Sequence, residues 1–216
     1  MKSDKQIQTD VLRELAYNPS VTETHIGVSV EDGVVTLSGK VPSFAEKSAA
    51  EGSVLRVEGV KAIVEKIEVE LPGSLKRSDA DIAQAAIDAL AWNVQVPPNS
   101  VKVTVENGKL ELSGEVSWEF QKKAAYDSVK NLAGISWIDD AIKIRSRINP
   151  ENVKGKIEEA LKRAATREAS RIKIEAEGGK VILTGKVRSL AELRDASGAA
   201  WSAPGVSEVE SRLEVA

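Results

Sequence analysis

A single histidine, no cysteine, and 30 Lys and Arg set against 33 Asp and Glu bound the chemistry open to these 216 residues. Without cysteine there is no disulfide framework, cysteine zinc site, iron–sulfur cluster or thiol nucleophile. One imidazole cannot build a multi-histidine metal centre, and a Ser-His-Asp triad would have to run through His25. His25 stands just before an alternating apolar run, no Gly-x-Ser-x-Gly elbow accompanies it, and a solvated strand-edge histidine is expected there. Neither G-x-G-x-x-G nor a Walker A motif occurs, and Gly155-Lys156 lies in a helical pattern without the preceding glycine frame. Asp139-Asp140 could start a calcium or magnesium site only if further oxygens converged on it, so an exposed acidic pair at a strand end is expected. No catalytic residue, metal ligand or cofactor is therefore expected.

The remaining residues with binding chemistry are aromatic, and they are few: aromatic content is 4%, with four tryptophans. Trp92 runs into Val94-Gln95-Val96-Pro97-Pro98, while Trp118 and Phe120 precede Lys122 and Lys123. An amphipathic ring beside lysines suits the headgroup level of an anionic lipid surface. The same rings can cap a core or join neighbouring units, and Trp137 and Trp201 are read that way. A net charge of −3 argues against a nucleic-acid binder, whose affinity rests on excess Lys and Arg. Basic residues are spread unevenly: 8 Lys and Arg against 12 Asp and Glu in residues 1–71, 10 against 10 in 72–148, and 12 against 11 in 149–216. Adjacent basic residues such as Lys122-Lys123 and Lys162-Arg163 come in pairs and not in clusters, so any lipid binding should be weak.

An internal repeat supplies the elements that must position these residues. Gly33-Val-Val-Thr-Leu-Ser-Gly39-Lys-Val41 returns as Gly108 to Val116 and as Gly179 to Val187, with offsets of 75 and 71. Gly59-Val60, Gly134-Ile135 and Gly205-Val206 keep those offsets, as do the closing alternations around Ile67, Ile142 and Leu213. A period above 70 exceeds the roughly 20–50 residues of solenoids, so three tandem small domains are expected, over 1–71, 78–146 and 149–216.

Within each copy the hydrophobic period changes in a fixed order. Ile7, Val11, Leu12 and Leu15, then Ile82, Ala86, Ile87 and Leu90, then Val153, Ile157 and Leu161, mark a first helix with one buried stripe. Two alternating strands follow, joined at Asp32-Gly33, Asn107-Gly108 or Gly178-Gly179, each a hairpin signal. A second helix carries Ala50, Val54 and Val57, matched by Ala125, Val129 and Leu132 and by Ala196, Ala200 and Ala203, and is expected to stop at the shared glycine as its C′ residue. A third strand closes the copy. The fold class is α+β: three α-β-β-α-β domains, each a three-stranded mixed sheet with two helices on one face. Gly33, Gly39, Gly59, Gly108, Gly114, Gly134, Gly179, Gly185 and Gly205 are structural.

The turn glycine, the xVxLxGxV strand, the Ala-rich helix before Gly-Val and the closing strand, three times in order, resemble the BON domain, a family named for bacterial osmotically inducible and nodulation proteins. The resemblance implies a non-catalytic module that binds phospholipid or a protein partner, and three copies are similar to stress-related, osmotically inducible members. The aromatic and lysine positions where the copies differ make Trp92, Val94, Val96, Trp118, Phe120, Lys122 and Lys123 the expected surface for an anionic phospholipid or a protein partner; the alternative is a soluble scaffold without membrane contact. Many members carry a signal peptide and are periplasmic. Here Met1 to Val11 contains no apolar signal core and no stretch reaches about 18 apolar residues, so as written the chain is expected in the cytoplasm, or in the periplasm if a signal was removed.

Overall fold

Ser3 and Ser78 begin the helices of the first two copies by the same device. Each hydroxyl accepts from the backbone N–H three residues on, while Gln6 or Asp81 bonds back to the cap residue's own N–H. These reciprocal bonds satisfy donors that a helix start leaves unpaired. Helices α1 (Asp4–Tyr17) and α3 (Asp79–Trp92) follow, burying Ile7, Val11 and Leu15, and Ile82, Ala86 and Leu90. Leu12 and Ile87, expected in the stripe, are 43% and 51% exposed. Five residues past Ile7 or Ile82 is some 140° round the helix, which turns them away from a stripe spaced at i, i+4, i+8. The computed structural model describes residues 2–145, 172–177, 179–203, 206 and 208–215. The third copy's first helix, Gly155-Lys156, Lys162-Arg163, Gly178 and Gly205 lie outside the described residues.

The hairpins follow. Asp32 and Gly33 have φ of 51° and 81°, Asn107 and Gly108 52° and 74°; two left-handed residues in a row make a type I′ turn, whose twist matches that of the strands. In each case an aspartate in the first helical turn holds the hairpin from outside. Asp4 accepts from the N–H groups of Asp32 and Gly33, both at 2.9 Å, and Asp79 from those of Asn107 and Gly108 at 2.8 and 2.9 Å.

Each sheet has its second strand in the middle, antiparallel to the first and parallel to the third. The strands are β1 (Ile26–Glu31), β2 (Val34–Val41) and β3 (Ala62–Val69); β4 (Val101–Glu106), β5 (Lys109–Val116) and β6 (Trp137–Ile144); β7 (Ile172–Glu177), β8 (Lys180–Val187) and β9 (Glu208–Val215). The second helices are α2 (Phe44–Leu55), α4 (Glu119–Val129) and α5 (Leu190–Trp201). Central-strand residues Val35, Leu37 and Val41, and their counterparts Leu110, Leu112 and Val116 or Val181, Leu183 and Val187, form the buried base of each core. The second helices end before the shared glycine: α2 stops at Leu55 with Arg56 as its cap, and the chain then tightens through Val57 N–H to Val54 O and Val60 N–H to Val57 O. Gly59, at φ 90°, therefore belongs to the turn into β3 and is not a C′ residue. Among the described residues no helix is long and apolar enough to cross a membrane.

Gly39 and Gly114 have a stricter requirement. Both sit at φ near 131° (132° and 131°), and a Cβ on either would run into the carbonyl of His25 or Ser100 on the adjoining strand entry. Gly39→Ala should lower stability by about 2 kcal/mol or more in urea unfolding. Gly52→Ala, a helical position with nothing within 4 Å of the added carbon, should instead raise it by about 0.5–1 kcal/mol; equal effects from the two would refute this account of Gly39.

Candidate functional site

Superimposing the three copies by register places Ser43, Trp118 and Ser189 at one position, the cap of the second helix. Ser43 and Ser189 each accept from a backbone N–H at 3.2 Å, that of Glu46 or Glu192. Trp118 has no acceptor to offer, and side-chain help at this helix start comes from Gln121, whose Oε1 accepts from the N–H groups of Ser117 and Trp118. The indole instead stacks on Phe120, with centroids 6.4 Å apart and planes 28° apart. A residue poor at the local task, presenting a ring pair beside a 52% exposed Phe120, marks this corner as one selected for something other than helix capping.

The next position explains what such corners do. Phe44, the first residue of α2, is buried in the core cluster of the second domain, its ring edge-on to Trp137 at 6.5 Å. Lys47 places its ammonium 4.9 Å from the centre of the same indole, and the Ser48 side chain lies beside the Tyr126 hydroxyl, a phenol that burial pushes above its usual range. The third domain meets the first in the same way. Leu190, the counterpart of Phe44, packs against the first domain's core; Arg194, the counterpart of Ser48, pairs with Glu51 at 2.8 Å; and Gly59 N–H donates to the Arg188 carbonyl at 3.1 Å. Glu51 and Tyr126 occupy equivalent positions. One docking mode is thus used twice, third domain onto first and first onto second. The matching corner of the second domain carries Trp118, Glu119, Phe120 and Lys123, and among the described residues no hydrogen bond, ion pair or ring contact joins it to another domain.

Lys122 is occupied within its own domain. Its Nζ donates to the Ile142 carbonyl at 2.8 Å and lies 3.6 Å from Asp140, whose Oδ1 accepts from Ile142 N–H. Lys47 and Glu65 do the same at Ile67, at 2.6 and 3.0 Å. These pairs satisfy the outward main-chain groups of the edge strands β3 and β6. Asp140 therefore has a structural task, and among the described residues no group of carboxylates and imidazoles could hold a metal ion. His25 is exposed.

The expected site residues divide accordingly. Trp92 and Val94 are 88% and 98% exposed where α3 ends, and Asn93 between them is tied to α4 through Ser128 Oγ at 2.8 Å. Val96 is buried in the core, so it is a packing residue and not part of a binding surface. Lys123 stays 71% exposed in an i,i+4 pair with Asp127. Trp137 is the interdomain residue just described, and Trp201 packs against its own core.

A family model, the BON domain, matches residues 3–70, 78–146 and 149–216. The chain belongs to the BON-domain family. Among curated BON relatives, Osmotically-inducible protein Y of Escherichia coli K12 is 31% identical over 147 residues, covering 66% of this chain and 73% of that one. The 21 kDa hemolysin of Actinobacillus pleuropneumoniae is 32% identical over 139 residues, 61% and 71% of the two chains. Among solved structures, the C-terminal domain of CdsD, a structural protein of the type III secretion system of Chlamydia trachomatis, aligns over 99% of this chain and 98% of its own at 16% identity and a TM-score of 0.27. The PrgH periplasmic domain aligns over 89% and 95% at 12% identity and a TM-score of 0.22.

Trp118→Ser restores the cap that the sister BON domains use and should stabilise the protein by ~1 kcal/mol in urea unfolding; a loss of stability would show that the indole has a structural role. Burial holds the Glu119 carboxyl above its ordinary range, reinforced by Asp140 and opposed by Lys122 and Lys123. A raised carboxyl binds more protons folded than unfolded, so its contribution to stability falls as pH rises from the ordinary glutamate range through the folded value. Glu119→Gln should flatten that decline from about pH 4 upward; an unchanged pH profile would count against it.

Proposed function

We propose that the protein is a non-enzymatic, stress-related binding protein that works as an interaction scaffold, with the open corner of the second domain as its working surface. The observation behind this is that the same corner is consumed by a neighbouring domain in the first and third copies, while in the second, among the described residues, it is undocked and carries a half-buried Trp118 stacked on an exposed Phe120. The name of the Escherichia coli relative, osmotically inducible, supports the stress setting.

A second possibility, weak binding to an anionic phospholipid surface, is favoured by the exposure of Trp92 and Val94. Against it, at the α4 corner, stands the engagement of both lysines within their own domain: Lys122 is bound to a carbonyl and Lys123 is paired with Asp127, whereas surface attraction supplies only about 1 kcal/mol per basic residue. Flotation with phosphatidylglycerol vesicles at low salt separates the two. The scaffold keeps the protein out of the lipid fraction; co-flotation that Trp92→Ala and Val94→Ser abolish would put the membrane in its place.

A further inference from the structure

The two interdomain contacts are heterologous: one domain offers the start of its second helix, the other offers the middle of its second helix and the start of its third strand. Contacts of this kind do not close on themselves in pairs; they leave one unused half at each end of the array. Here the array runs third, first, second. Among the described residues, its unused offering half is the α4 corner of the second domain, and its unused receiving half is on the third domain, at Ser197, which holds the position of Glu51 and Tyr126, and at Glu208, which holds that of Trp137.

We propose that these halves meet between molecules, so that the second domain of one chain docks on the third domain of a second copy of this chain. This rests on the scaffold reading and names its partner. Two things support it. The surface continues an interface already formed twice within the chain, with Lys123 replacing Arg194 and Ser48, and Lys122 replacing Lys47. The charges are complementary at the lysines, which offset the meeting of Glu119 and Glu208, the residues that replace Phe44 and Trp137. In the existing contact Lys47 stands over Trp137; in the intermolecular one Lys122 and Lys123 approach the exposed strand start at Glu208, a carboxylate held beside Lys180. Lys47 makes its interdomain contact while still donating to the Ile67 carbonyl, so the equivalent bond of Lys122 to Ile142 is no obstacle. Trp118 and Phe120 add apolar surface where Glu119 replaces Phe44.

The chain lacks cysteine, which makes cross-linking a direct test. Full-length Lys123→Cys and Ser197→Cys chains, mixed in equal amounts and oxidised, should join as a mixed disulfide dimer about tenfold faster than Asp88→Cys mixed with Ser197→Cys. Ser48→Cys/Tyr126→Cys and Glu51→Cys/Arg194→Cys provide the intramolecular references for the same geometry. The parent chain should show concentration-dependent association in sedimentation. Lys123→Glu should weaken it about tenfold, and Ser197→Glu, which recreates the Arg194–Glu51 polarity, should strengthen it. Equal cross-linking rates with a monomer at every concentration would overturn the proposal, and so would closure of a Lys123→Cys/Ser197→Cys chain on itself. Either result leaves the scaffold reading to the flotation experiment, which is independent of self-association.

Discussion

A three-stranded sheet has as many edge strands as a sheet can have for its size, two out of three, and every outward N–H and C=O on them needs a partner or water. Much of this protein's side-chain chemistry answers that need. Gln8 reaches from α1 to the Val28 carbonyl on β1 at 2.8 Å, while Lys47 with Glu65 and Lys122 with Asp140 serve β3 and β6. Long polar side chains on the helices thus act as clips that hold helix to sheet edge. Because the clips tie α2 and α4 to their edge strands, they also hold the corners of the first two domains in place.

That docking matters energetically because each unit is small. A module of about 65 residues buries only about 60% of its unfolded surface, which leaves it near the limit of independent stability. Phe44 and Leu190 export apolar area from one module to the core of another, so the first domain, touched by both neighbours, is the best supported. The Arg194–Glu51 pair is largely solvent-exposed and contributes orientation more than energy.

The sequence was legible wherever local geometry repeats. Type I′ turns need residues that tolerate positive φ, so Asp32-Gly33 and Asn107-Gly108 announce the hairpins, and with them the order of strands. Leu12 and Ile87 were misread because apolar spacing alone does not say how wide the buried stripe is. Lys122 looked like a headgroup anchor because the reach of a four-carbon stem to the Ile142 carbonyl depends on how α4 crosses β6, which no periodicity encodes. The docking role of Phe44 and Leu190 was hidden for a similar reason: an apolar first helical residue reads as ordinary core. A signal was nevertheless present in the series Phe44, Glu119, Leu190, apolar in the two docked copies and acidic in the undocked one. Trp118 stood out by the same comparison, between two serines.

Among the described residues the third domain rests on the first, and Arg194 and Glu51 are 143 residues apart. During synthesis, therefore, the first and second domains can fold and dock as soon as β6 has been made. The first domain's surface around Gly59 and Glu51 must wait, uncovered, until α5 has been translated. Closure over so long a stretch of chain carries a larger loop entropy than the contacts within any one domain, which favours its forming after the domains themselves.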